Sequence, residues 1–232
     1  MTYKLTFTPL CIVYRMKPTV FKPRTIHCIL VCLTFAVSIG ACTTIPIDRD
    51  DEFISLYGNE DASPWRFEFC SGYNCQRRQT VGFSTEQWEA IKGIFSPPSK
   101  DATGERDRIS LVIGLMESFT GPMTGTANDK GGTFSALFRE GQLDCVDEAI
   151  NTATFLFLVN RGGFIRYHEL RGPVTRGWYI VRGWSHVASV IVEHETGKAF
   201  VVDSSFFDNG RPAVTVPFDL WVKGWRPPKE VR

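Results

Sequence analysis

The chain has 232 residues, a formal net charge of +1 and seven cysteines. Its content of 43% hydrophobic and 22% charged residues is that of a globular protein, which excludes a collagen, a coiled coil or a wholly disordered chain. The near-neutral charge gives no electrostatic reason to expect nucleic acid as a partner. Because seven is odd, at least one cysteine lies outside any internal disulfide.

The first 41 residues have the pattern of a secretory signal peptide. They contain five basic residues and no acidic one, and residues 26–39 form an apolar run. That run is shorter than the roughly 20 residues of a transmembrane helix, and a basic region before a short apolar core is typical of a signal peptide. The alternative is an anchor helix that is never cleaved. A start at Met16 gives a basic region of ordinary length, so we expect initiation there.

The end of this leader, Ile39-Gly40-Ala41-Cys42, resembles the lipobox of bacterial lipoproteins. The resemblance implies cleavage before Cys42, a lipid on its sulfur and attachment to a membrane. Since Thr43 stands where an aspartate would favour the inner membrane, we expect the periplasmic side of the outer membrane. Cleavage removes five positive charges from the formal +1, which leaves 191 residues at about −4. Polar, acidic residues 42–63 are interpreted as a tether to a domain of residues 64–232.

The elements of that domain follow from hydrophobic periodicity and from stop signals. Strands are predicted over residues 65–70 and 75–83, followed by helices over 84–95 and 106–119 and a loop over 121–132. A third helix is predicted over residues 145–162, before strands over 164–170, 178–181, 186–193 and 198–203 and a short helix over 217–222. Helices come before consecutive strands, so we expect an α+β fold with an antiparallel sheet.

The remaining cysteines have separate predicted fates. Cys70 and Cys75 flank a predicted turn, and an exported protein meets an oxidising compartment, which favours a disulfide. A free or metal-bound pair is the alternative, but no second Cys or His pair supplies the other ligands. We expect no metal and no cofactor. Cys145 is then the unpaired thiol.

Cys145 begins a predicted helix, where backbone amides and the helix dipole favour a thiolate. A nucleophilic cysteine also needs a base and a group that orients the base. His186 begins an apolar predicted strand and Asp203 ends the next one, which places the acid to bond the imidazole. The alternative is that Cys145 is a packing residue. His168 and His194 lie in polar contexts and are interpreted as surface residues.

This order of Cys, His and Asp resembles the transglutaminase-like branch of the papain-type cysteine enzymes. Gaps of 41 and 17 residues fit that branch, and Asp144-Cys145-x-Asp147-x-Ala149 is similar to a segment of bacterial transglutaminase-like cysteine peptidases. The resemblance covers residues 141–206. It implies a transglutaminase-like or papain-like fold, with a catalytic helix packed against the sheet. It also implies Cys145 as nucleophile, His186 as base, Asp203 as orienting acid, and a protein or peptide substrate.

Two features depart from that family. Ile150 and Asn151 stand where the family has aromatic residues or lysine. The usual oxyanion donor upstream of the cysteine is not identifiable: Gln142 is the nearest candidate but lies closer to the cysteine than in papain-type enzymes. The backbone N–H of Cys145 is the preferred donor.

Other residues near the motif have structural interpretations. Asp147 and Glu148 are interpreted as first-turn acids that favour the helix dipole. Four tryptophans could line a substrate groove near His186 or could pack in the core; they are Trp178, Trp184, Trp221 and Trp225.

Three functions are therefore in competition. The first is a membrane-anchored thiol hydrolase or acyl transferase that acts on amide bonds. The second is a cell-wall endopeptidase of the NlpC kind with peptidoglycan as substrate, although those enzymes usually read Asp-Cys-Ser-Gly where this chain has Asp144-Cys145-Val146-Asp147. The third is a non-catalytic scaffold lipoprotein with the same fold.

Overall fold

The computed structural model describes residue 54 and residues 57–132, 139–177 and 185–228. These belong to the second of the two units into which the chain divides, Cys42–Arg232. The predicted leader, its cleavage site, the lipidation residue Cys42 and the predicted strand over 178–181 lie outside the described residues. Within the described ranges, no helix has the length and apolar character needed to cross a membrane.

The described part of the chain combines helices with antiparallel strands. The helices are α1 (Thr85–Ile94), α2 (Ala102–Thr124), α3 (Cys145–Arg161) and α4 (Phe218–Val222). The strands are β1 (Phe67–Ser71), β2 (Arg77–Val81), β3 (His168–Arg176), β4 (His186–Glu193), β5 (Ala199–Asp203) and β6 (Val214–Pro217). β1 and β2 form a hairpin, and β3, β4, β5 and β6 follow one another in an antiparallel sheet. The predicted α+β class is confirmed.

In the first two helices, some sequence signals predicted the helix ends and others did not. α1 begins with a capping box, in which Ser84 Oγ accepts from Gln87 N and Gln87 Oε1 accepts from Ser84 N. α2 extends through Gly121 and Pro122, which were predicted as loop, and ends at Gly125 with φ of +76°. Pro122 lies in the last turn, where it removes the hydrogen bond to the carbonyl four residues earlier, and the helix ends two residues later at Thr124.

The sheet differs from the prediction at β3 and β6. β4 was predicted correctly, and β5 begins one residue later than expected. β3 covers His168–Arg176 instead of residues 164–170, because the strand continues past Gly172 and Pro173 through a bulge between Arg171 and Val174. β6 is short and was not predicted.

α3 is the centre of the domain. Twelve of its seventeen residues are buried, polar ones included. One side packs against the sheet, where Ser189 Oγ of β4 donates to the Ala149 carbonyl at 2.8 Å. Another side binds the β1–β2 hairpin through Asn151, which exchanges two hydrogen bonds with the backbone of Cys70. The helix that begins at Cys145 is therefore held between the sheet and the β1–β2 hairpin.

A buried polar network joins the start of α2 to β3. Glu105 accepts hydrogen bonds from the backbone amides of Arg166 and Tyr167 at 2.7 and 3.0 Å, and its Oε1 lies 2.9 Å from His168 Nδ1. His168 is only 2% exposed, so its interpretation as a surface residue is wrong. His194 is exposed, as predicted.

Candidate active site

Cys145 is the first residue of α3 and is half-buried. The helix begins there because Asp144 is its N-cap, with Oδ1 accepting from the amides of Val146 and Asp147 at 3.1 and 2.8 Å. The Asp147 side chain returns to the amide of Asp144, which completes a capping box. The local sequence therefore places Cys145 at the N-terminus of α3, which is the positive end of the helix dipole.

His186 and Asp203 meet as predicted. His186 begins β4 and Asp203 ends β5, and the pairing of Ser189 with Val202 sets the two strand ends side by side. His186 Nε2 donates to Asp203 Oδ2 at 2.7 Å. Cys145 is near enough to the imidazole to raise the pKa of His186, and Cys145 Sγ lies 4.0 Å from the carbonyl oxygen of Ser185, the residue before His186. The structure thus brings the three predicted catalytic side chains together.

His186 and Asp203 stabilise each other's charged forms. Burial on its own would lower the pKa of His186, but hydrogen bonds with Asp203 and Cys145 raise it to about 9. Burial would raise the pKa of Asp203, yet the hydrogen bonds and charge of its partners hold it below its ordinary value. At neutral pH the pair is therefore an imidazolium and a carboxylate.

Asp203 has donors beyond His186, and sequence reasoning did not assign them. Ser205 donates to Asp203 Oδ1 through its hydroxyl at 2.7 Å and its amide at 3.3 Å. Trp221 of α4 donates from its indole to Asp203 Oδ2 at 2.9 Å. The Ser205 contact is a local Asx turn, which the spacing Asp203-Ser-Ser205 could have indicated. The Trp221 contact depends on packing between α4 and β5.

Aromatic rings and one cation surround the imidazole. The centroid of the His186 ring lies 5.4 Å from that of Phe206 and 5.7 Å from that of Trp221. The Arg176 guanidinium lies over Trp221, 4.4 Å from the ring centroid, and donates to the Trp221 carbonyl. Trp225 lies edge-on to Phe206 at 5.9 Å. Trp221 is fully buried and Trp225 half-buried, while Trp178 and Trp184 fall outside the described ranges.

The two predicted oxyanion donors have different surroundings. Gln142 binds a neighbouring loop: its Nε2 donates to the Asn128 carbonyl at 2.8 Å and its Oε1 accepts from the Lys130 amide at 3.1 Å. The first hydrogen bond within α3 runs from Glu148 N to the Asp144 carbonyl, so the amide of Cys145 precedes the helical ladder. Both assignments stay predictions, and the amide of a first helical residue suits the role better.

Asp147 and Glu148 do more than favour the dipole. Asp147 is 0% exposed and accepts hydrogen bonds from the backbone amides of Tyr73 and Cys75. Glu148 is 6% exposed, with Oε2 unpartnered among the described residues. Burial raises the pKa of Glu148 well above its ordinary value, and the charge of Asp129 raises it further. Both effects favour the protonated form of the Glu148 carboxyl.

The structure also gives the bonding of the described cysteines and the positions of possible metal ligands. Cys70 and Cys75 form the predicted disulfide, with their Cα atoms 4.8 Å apart, and Cys145 is a free thiol. Among the described residues, no group of three or more His, Cys, Asp or Glu side chains could hold a metal ion.

Comparison with known proteins gave no match. No family model matches the chain, and neither a curated protein nor a solved structure is similar to it. Function is therefore argued from the site itself.

Proposed function

We propose that this protein is a thiol hydrolase or acyl transferase that acts on amide bonds through Cys145, His186 and Asp203. The observation that carries the proposal is the 2.7 Å hydrogen bond from His186 Nε2 to Asp203 Oδ2, beside a Cys145 sulfur that lies 4.0 Å from the carbonyl oxygen of the preceding residue, Ser185. This is the nucleophile, base and orienting group that covalent catalysis by cysteine requires. It also supports a transglutaminase-like or papain-like fold, with α3 as the catalytic helix.

The proposed reaction depends on which nitrogen of the His186 ring is available. Nε2 is hydrogen-bonded to Asp203, so Nδ1 is the nitrogen that can accept the proton of the Cys145 thiol. The sulfur attacks an amide carbonyl, and the oxyanion forms within reach of the amide at the start of α3. His186 then gives the proton to the leaving amine, which leaves an acyl group on Cys145. Water completes hydrolysis, and a second amine completes transamidation.

The sequence supports a place for this chemistry in the cell. We propose that a lipid on Cys42 anchors the domain on the periplasmic side of the outer membrane, with the inner membrane as the alternative. The substrate would be a protein or peptide there. Peptidoglycan belongs to the NlpC-like alternative, and incubation of purified sacculi with the protein separates the two, because release of soluble muropeptides supports the alternative.

A binding scaffold is the second candidate, and the surroundings of Gln142 favour it. Both ends of that amide are bonded to residues 128–130, so a side-chain oxyanion donor is not evident near Cys145. A scaffold has no need of a reactive thiol. The reactivity of Cys145 therefore decides between the two candidates.

The experiment is alkylation of Cys145 by iodoacetamide at neutral pH. Trypsin releases residues 140–161 as one peptide, in which Cys145 is the single cysteine, so mass spectrometry follows this thiol apart from the others. We expect His186→Gln to slow alkylation by at least about tenfold, within the range that a positioned acid or base contributes. His194→Gln, at an exposed histidine, is the matched control and should leave the rate unchanged.

Asp203 variants refine this test. Asp203→Asn keeps an oxygen that accepts from the imidazole, whereas Asp203→Ala removes it, so the rates should fall in the order wild type, Asn, Ala. A wild-type rate no faster than that of His186→Gln would sink the enzyme proposal and favour the scaffold.

A further inference from the structure

The tip of the β1–β2 hairpin has an unusual backbone. Gly72 is followed by three non-glycine residues in the left-handed region, Tyr73, Asn74 and Cys75, with φ of +66°, +55° and +53°. Residues with a Cβ seldom adopt this conformation in succession, since it crowds the Cβ against the backbone. Specific contacts must therefore hold the turn, and the structure shows them.

The three amides of this turn converge on the start of α3. Tyr73 N donates to Asp147 Oδ2 at 2.8 Å, and Cys75 N donates to Asp147 Oδ1 at 2.7 Å. Asn74 N donates to Asp144 Oδ2 at 3.0 Å. Successive backbone N–H groups in such a conformation form a concave anion-binding nest. The anion here comes from the protein's own helix.

The disulfide closes the turn around these contacts. Cys70 and Cys75 join its two sides, and Cys70 is also fixed to α3, because Asn151 accepts from its amide at 2.7 Å and donates to its carbonyl at 2.9 Å. The turn is thus tied to α3 both beside Cys145 and two turns further along. Cys70 is 0% and Cys75 9% exposed, so this closure lies in the interior.

The carboxylates that the turn binds are those that form the first turn of α3. Asp144 precedes Cys145 and caps the helix, and Asp147 bonds back to the amide of Asp144. Loss of the turn would release both side chains at once. The position of the Cys145 sulfur relative to His186 would then be less strictly defined.

We propose that Asp147 and the turn closed by Cys70–Cys75 position the Cys145 nucleophile, so that full reactivity requires an oxidised Cys70–Cys75 pair together with a reduced Cys145. This inference rests on the proposed function. Asp147 is a positioning residue, since its carboxylate bonds the backbone amides of Tyr73, Cys75 and Asp144 and not the sulfur or the imidazole. A dithiol reductant would act against the enzyme: it gives two electrons to the S–S bond, leaves two thiols on the chain and becomes a cyclic disulfide itself.

The test compares alkylation of Cys145 in three variants of the full chain. Cys70→Ser/Cys75→Ser removes the closure, and Asp147→Asn replaces an accepting oxygen with an NH₂ group that faces backbone N–H donors. Asn59→Ala is the matched control. Asn59 is buried in the same hairpin–helix interface and bonds Thr154 and Glu68, but Thr154 lies more than two helical turns from Cys145. Thermal unfolding reports the stability of each variant.

We expect the serine pair and Asp147→Asn to slow alkylation by about tenfold or more and Asn59→Ala by less than about twofold, because a misplacement of about 1 Å is enough for a large loss of reactivity. A merely structural role would slow all three in proportion to their loss of stability, and that result overturns the proposal. The proposal is also overturned if the serine pair or Asp147→Asn folds and is alkylated at the wild-type rate. If the serine pair does not fold, Asp147→Asn decides alone. Failure of the proposed function is a separate result, in which wild type reacts no faster than His186→Gln.

Discussion

The indole Nε1 of Trp221 donates to Asp203 Oδ2, the same carboxylate oxygen that accepts from His186. Trp221 is 0% and Asp203 2% exposed, so water does not compete for this oxygen. With Ser205 on the other oxygen, the carboxylate is held in one orientation, and the imidazole is held through it. This arrangement makes Trp221 a positioning residue for His186, the proposed base.

Trp221→Phe should therefore affect both stability and reactivity. The variant removes one hydrogen bond to a buried charge, which we expect to cost about 2 kcal/mol of unfolding free energy. Alkylation of Cys145 should slow as well, because the carboxylate that orients His186 is less constrained. Chemical denaturation and the alkylation rate measure the two effects. Trp88→Phe, in the core against Phe83, should lose stability through packing alone, and equal alkylation rates in the two variants would contradict the assignment.

The raised pKa of His186 predicts how stability depends on pH. Its folded value of about 9 lies above the ordinary 6.5, so the folded state holds a proton that the unfolded state loses between these values. The stabilisation is complete below about pH 6.5 and is lost as the pH rises to about 9, a change on the order of 3 kcal/mol. Denaturation of wild type and His186→Gln at pH 6 and pH 9.5 measures it. The difference between the two proteins should shrink at the higher pH; a constant difference would show that the pair is not charged.

The raised pKa of Glu148 predicts the same direction of pH dependence, with the loss of stability starting at a lower pH. Its folded pKa lies well above the ordinary 4.5 because of burial, so the unfolded chain gives up this proton first and the folded state loses stability as the pH rises above that value. Glu148→Gln is neutral at every pH and should gain stability over wild type from about pH 4.5 upward. Glu140→Gln, at an exposed position before α3, is the control. A gain that does not depend on pH would contradict the raised pKa of Glu148.

The predicted lipid anchor can be tested at Cys42. Cys42→Ser should abolish incorporation of labelled fatty acid and release the mature protein from the membrane fraction, whereas Cys32→Ser within the leader should change neither. Retention of Cys42→Ser in the membrane with its leader intact would favour the uncleaved anchor helix. Peptide mapping of the precursor tests the start at Met16, and any peptide from residues 2–15 excludes it.

The parts of the site that lie close together along the chain could be predicted. His186 and Asp203 belong to one hairpin, joined by the turn at Gly197 with φ of +66°, so a short spacing determines which side chains meet. Cys145 was placed by local signals, because Asp144 is a standard N-cap and apolar residues follow at helical spacing.

The parts that depend on distant packing could not be predicted. The hydrogen bond between the hairpin turn and α3 joins Tyr73 to Asp147, which lie 74 residues apart. No hydrophobic periodicity predicts such a contact. His168 seemed a surface residue because its neighbours are polar, but its partner Glu105 lies 63 residues earlier. In α2, Gly121 and Pro122 indicated a loop; tight packing of Gly121 against Ala127 and Asn209 instead makes a small residue suitable inside the helix.

α3 has almost no face on which a substitution would be neutral. Leu156, Leu158 and Val159 fill the core, while Asn151 and Thr154 bond the hairpin on another side. A saturation-mutagenesis map of this domain should therefore show its lowest tolerance along Cys145–Arg161, at polar positions as well as apolar ones. The proposed nucleophile, Cys145, is attached to a helix in which twelve of seventeen residues are buried, so new specificity would be acquired through changes elsewhere.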